Sequence, residues 1–86
     1  MKEKQSAFEY ALEKLNNADL LQTIVEFANQ EHDGHFAILS FTTGYKVAFG
    51  TPDLDGGYGR EQVMGLKGFK TLRDAMIHAI LYHQDF

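Results

Sequence analysis

Cysteine is absent from the 86 residues. That removes a disulfide framework, a thiolate metal site and a thiol nucleophile together. No apolar run approaches the ~18–20 residues of a membrane-spanning helix. The opening segment MKEKQSAFEY carries charge with no apolar stretch behind it, so no signal peptide is expected. Serine occurs only at Ser6 and Ser40, and neither sits in the Gly-x-Ser-x-Gly turn that presents a hydrolase nucleophile. Positive charge is scarce: eight Lys and Arg stand against twelve Asp and Glu, for a net charge of −4. An acidic chain is a poor non-specific binder of phosphate backbones. These absences predict a cytoplasmic protein with no membrane association.

What remains has globular proportions, with 44% hydrophobic and 23% charged residues. A chain this short buries roughly 60–65% of its unfolded surface, enough for one small domain over residues 1–86. The charge is unevenly placed. Residues 1–34 hold three bases against seven acids, whereas residues 35–86 balance five against five. Within the second half, Arg60, Lys67, Lys70 and Arg73 are opposed only by Glu61 over residues 60–73, a candidate nucleic-acid patch.

Ala7, Phe8, Ala11, Leu12 and Leu15 recur on one helical face, and Leu20, Leu21, Ile24, Val25 and Ala28 repeat that spacing. In one continuous helix the two stripes would diverge by roughly 140°. The intervening NNAD is rich in cap and turn residues. The spacing predicts two helices, about residues 3–16 and 20–31, with Asp19 and Gln22 as a capping box for the second. One bent helix is the alternative. Gly34 in EHDGH is a helix stop. His32 and His35 with Asp33 are too few for a structural zinc site, so no metal and no cofactor is expected.

FAILSF and YKVAFG, joined by TTG, have the aromatic and β-branched content of paired strands. QVMGLKGF is a poorer third strand, interrupted by Gly65 and Gly68. The last helix opens on Thr71 and Asp74, another capping box. Its stripe is Leu72, Ala75, Met76, Ala79, Ile80 and His83. Ile77 and Leu81 lie nearly opposite, so the helix has a second apolar face. That face needs the N-terminal helices or a second copy, which makes Ile77 and Leu81 a candidate dimer patch. His78 and His83 are too divergent on the helix to share a metal, and His83 reads as a packing residue. The predicted fold is α+β in the order α-α-β-β-β-α. A three-stranded antiparallel meander packs against the C-terminal helix, with an N-terminal helical pair over the remaining apolar surface.

TPDLDGGYGREQ, residues 51–62, concentrates the special chemistry. As a calcium loop it offers Asp53 and Asp55 at positions 1 and 3, but Tyr58 replaces the hinge glycine and Met64 the bidentate acid. As a phosphate loop it lacks both the spacing and the lysine. The reading that remains is a wide connection between the second and third strands, with Pro52 ending the second. Asp53, Asp55 and Tyr58 are its candidate ligand or partner contacts. The two aspartates have the chemistry of a general acid/base pair, but nothing in the sequence supplies the pocket that would separate their pKa values.

YKVAFGTPDLDGG followed by GFKTLRDAMIHAI resembles the core of HicB-type antitoxins, over about residues 36–83. The resemblance implies a partial double-stranded-RNA-binding-like βββα unit and a small toxin as partner, often with a separate DNA-binding part. Residues 57–68 are longer than that family's link, and the N-terminal helical pair and the lack of an appended DNA-binding domain also depart from its pattern. GFKTLRDA is also similar to the end of the arm-type DNA-binding domain of phage integrases. Both point to a βββα shape, and shape alone assigns no function. The leading expectation is a small non-catalytic interaction or regulatory module that self-associates or binds a protein partner. The alternatives are a nucleic-acid-binding module using the basic patch, and a small-molecule or hydrolytic site at residues 51–62.

Overall fold

A computed structural model describes residues 7–86. Helices α1 (Ala7–Glu13) and α2 (Asn17–Glu31) follow one another across a short turn; part of the first predicted helix lies outside the described residues. The break falls at Asn16, whose extended backbone (φ −80°, ψ 173°) leaves its side chain free to accept from Asp19 N at 2.8 Å. Asn16 is therefore the cap, one turn earlier than the predicted Asp19 box, and Gln22 donates instead along the helix to Glu26 at 3.2 Å. The stop is as expected: Gly34 is left-handed (φ 83°), and its N–H returns to Ala28 O at 2.8 Å.

Strands β1 (Phe36–Phe41) and β2 (Gly44–Phe49) pair antiparallel, with Ile38 opposite Val47 and Leu39 opposite Lys46. Alternation places Phe36, Ile38, Tyr45, Val47 and Phe49 on one face. Val47 and Phe49 are fully buried there, beneath α4 (Leu72–Tyr82), which packs across β2. Thr71 caps α4 as predicted, accepting from Asp74 N at 3.1 Å. The core joins Leu12, Leu20, Ile24 and Ala28 of α1 and α2 to Val47, Phe49, Met76 and Ile80.

The predicted third strand does not form. Residues 62–69 contribute to α3 (Gly59–Gly65) and to one isolated bridge, Tyr45 to Phe69, so the sheet is two-stranded and the described residues hold four helices. The reason is local. Arg60, Glu61, Gln62 and Met64 are good helix formers, and the Lys46 ammonium holds the far end of α3 by donating to Val63 O at 2.9 Å. The second edge of β2 is closed by fragments instead. Phe69 exchanges both backbone bonds with Tyr45, at 2.6 and 2.8 Å. Residues 84–86 run past Phe49, which donates to Gln84 O and accepts from Phe86 N. Between them the Gln84 side chain donates to Val47 O at 2.9 Å and accepts from Lys67 N at 2.9 Å. A side-chain amide thus takes the place of a strand's peptide group.

The second apolar face of α4 also differs from the dimer expectation. Ile77 is 8% exposed and belongs to the chain's own core, and Leu81 is half-buried against it. Helices α1 and α2 pack on α4 and provide this cover. Ile77 and Leu81 thus serve the intramolecular core.

Candidate functional site

Residues 51–59 fold back as a braced turn. The Asp53 carboxylate accepts from Gly56 N at 2.7 Å, and Asp53 N donates to Gln62 Oε1 on α3. A Cβ at position 56 would lie 2.3 Å from Asp53 Oδ2, so glycine lets the turn close. Tied to α3 in this way, the loop forms one wall of a groove of about 660 Å³, with the side of β1 turned away from α4 as the other. Leu39, Phe41, Leu54, Val63 and Met64 line it, and Arg60 stands beside them. Leu54 is 77% exposed and Met64 69%, unusual for large apolar side chains placed together.

The neighbouring edge of β1 is open. Tyr45, Val47 and Phe49 direct their backbone groups to Phe69, Gln84 and the tail, so Gly44, Lys46 and Ala48 are the β2 residues that bond β1. Their partners are Phe41, Leu39 and Ala37. Phe36, Ile38 and Ser40 consequently point N–H and C=O away from β2, and no described residue bonds these groups. FAILSF also lacks the charges, proline or bulge that usually protect an edge strand.

The predicted site residues are dispersed. Asp53 is a loop brace, Asp55 is exposed at the tip, and Tyr58 is 66% exposed at the entry to α3. No histidine joins them. His35 shares a hydrogen bond with Thr51 Oγ1 at 3.0 Å, and His32 stacks on Phe49 at 5.1 Å. His83, expected as a packing residue on the helix stripe, lies instead just past α4 with a left-handed backbone (φ 50°); it is exposed, and its ring meets that of Phe27 at 4.4 Å. Among the described residues, no group of three or more His, Asp and Glu is arranged to hold a metal.

The four bases do not share one surface. Arg60 lies at the apolar groove, and Lys70 lies beside the β1–β2 turn. Lys67 and Arg73 line a separate cleft of about 650 Å³ with Glu9, Glu13, Asp74 and His78. Arg73 is engaged there, donating to Glu13 O and, at 3.4 Å, to Asn17 Oδ1. It fastens the α1–α2 turn to the start of α4. His78 sits between Phe69 and Tyr82, at 5.0 and 4.8 Å. Burial, with a smaller contribution from the Lys67 charge, holds its pKa below the usual 6.5.

Sequence reasoning missed the groove and the open edge. The signal available for the groove was GREQVM, a run of helix formers whose Val63 and Met64 had no assigned core partner. Comparison of the chain with family models, curated proteins and solved structures finds no match.

Proposed function

We propose that this chain is a protein-interaction module that takes an extended polypeptide segment along β1, with apolar side chains of that segment seated in the groove between β1 and α3. The observation that carries the reading is the asymmetry of the hairpin. The β2 edge is closed by Phe69, Gln84 and the tail, while the β1 edge carries three outward residues that no described residue bonds. An added strand forms main-chain bonds there, each worth about 0.5–1.5 kcal/mol net. Burying a side chain such as Leu54 or Met64 contributes roughly 1.5–3 kcal/mol. Met64 suits such a surface because its thioether side chain adapts to different shapes.

The nucleic-acid alternative draws less support, since Arg73 is bonded within the fold and the other bases face different surfaces. The loop-site alternative is weakened by the engagement of the Asp53 carboxylate with Gly56.

Ile38→Pro tests the reading. It deletes an outward N–H and leaves the inner ladder to β2 intact. Immobilised wild type is expected to retain a partner from an extract of the source organism, and Ile38→Pro to lose it, with Asp55→Ala as a control. The amides of Ile38 and Ser40 should exchange quickly in the isolated chain and slowly in the complex. Equal capture by wild type and Ile38→Pro sinks the proposal.

A further inference from the structure

We infer that the segment taken along β1 is β1 of a second copy, paired antiparallel about a two-fold axis at Ile38. This names the partner for the docking edge proposed above and rests on that reading. The backbone supplies the register. Outward groups at Phe36, Ile38 and Ser40 bond only with outward groups of the other strand. A two-fold at Ile38 pairs Ile38 with itself and Phe36 with Ser40 of the second copy, so all three outward residues gain partners. Axes at Ala37 or Leu39 leave one of the three facing a residue outside the strand. The result is a four-stranded sheet in place of a two-stranded one. A lone hairpin is marginal, and added strands stabilise it.

Charge selects the same arrangement. Glu31 and Asp33 stand five and three residues before β1, which makes the chain at its Phe36 end acidic. Its Phe41 end is basic: Lys46 Nζ lies 5.7 Å from the Phe41 ring, and Arg60 and Lys70 line the cavities that Phe41 also lines. Asp53, the acid that lines the groove, is turned to Gly56 N. Antiparallel apposition sets the basic end of each copy against the acidic end of the other, twice by symmetry. Parallel apposition would align like charges. The strand itself is uncharged, so nothing along its length opposes self-pairing.

The lack of cysteine makes the test clean, because Ile38→Cys carries the sole thiol of the chain. Directly opposed residues in a hydrogen-bonded antiparallel pair have Cα atoms about 5.5 Å apart. That lies inside the roughly 4.4–6.8 Å span of disulfides. Wild type should sediment as a dimer. Ile38→Cys should oxidise to a covalent dimer, and Asp55→Cys should remain largely unlinked. Glu31→Lys with Asp33→Lys should weaken association several-fold, and adding Arg60→Glu with Lys70→Glu should restore it. A wild type that stays monomeric at its highest soluble concentration overturns self-pairing; the docking edge then stands if Ile38→Pro still abolishes capture of a different protein. A dimer in which Ile38→Cys links no faster than Asp55→Cys overturns the two-fold at Ile38 and leaves the edge assignment to the Ile38→Pro result.

Discussion

Replacing Gln84 by alanine should be among the most destabilising changes available at a half-buried position. Its amide donates to Val47 O at 2.9 Å and accepts from Lys67 N at 2.9 Å, with a longer third contact to Lys67 O at 3.4 Å. Val47 is fully buried, so water reaches the released carbonyl poorly. Two well-formed bonds at about 1 kcal/mol each, plus partial desolvation of one orphaned acceptor, give a loss of roughly 2–3 kcal/mol. For a domain of this size each kcal/mol lowers Tm by about 4–8 °C, so a fall of at least roughly 8 °C is expected. Urea unfolding followed by circular dichroism measures it, with Gln84→Met as a control that keeps volume without the bonds. Gln84→Glu adds a sign. Its carboxylate would face the carbonyl oxygens of Val47 and Lys67, so folding favours the protonated acid and raises its pKa above the unfolded value of about 4.3. The deficit relative to wild type should be small below that value and grow as pH rises through the folded-state pKa. A Gln84→Ala loss under about 0.5 kcal/mol would refute the view that this side chain completes the sheet.

Asp53→Ala should cost about 1 kcal/mol, because the carboxylate braces Gly56 N; Asp55→Ala should be neutral, and calcium should leave Tm unchanged, which thermal scans check. His78 should titrate below 6.5 by NMR, and Lys67→Gln should move it part of the way back. Because folding depresses this pKa, the unfolded chain binds the proton more readily. The His78 contribution to stability is therefore present above pH 6.5 and lost as pH falls below it towards the folded-state value. Gly44→Ala should destabilise by more than about 2 kcal/mol, since position 44 has φ 148° and a Cβ there would lie 2.2 Å from Phe69 O. A near-neutral result in urea unfolding would count against the Tyr45–Phe69 bridge.

The helices and the hairpin were legible because their signals are periodic and local. Leu20, Ile24 and Ala28 announce the buried side of α2, and Thr71 announces the start of α4. Residues 62–69 were misread because a glycine-broken apolar run fits a weak strand and a short helix equally well. The helical outcome depends on Lys46, seventeen residues upstream of Val63, reaching the end of α3. The closure of β2 was beyond reach for a similar reason. It uses Gln84, thirty-seven residues from Val47, in a role that no pattern of apolar spacing encodes. Ile77 and Leu81 were read as a candidate dimer patch; their place in the chain's own core depends on how α1 and α2 pack across α4. The open edge and the groove could not be read from the chain, because both follow from which strand lies outermost.

The closure of β2 also decides what kind of assembly the hairpin is capable of. With one edge sealed, strand addition ends after a single partner, since like edges meet about a two-fold and leave no growing end. Peel away Phe69, Gln84 and the tail, and each molecule presents two unlike edges, β1 and β2. Pairing β1 of one copy with β2 of the next is head-to-tail, so unless the rotation closes a ring every addition exposes a fresh template and growth continues. A latch of a few hydrogen bonds would therefore separate the proposed two-fold complex from open-ended growth.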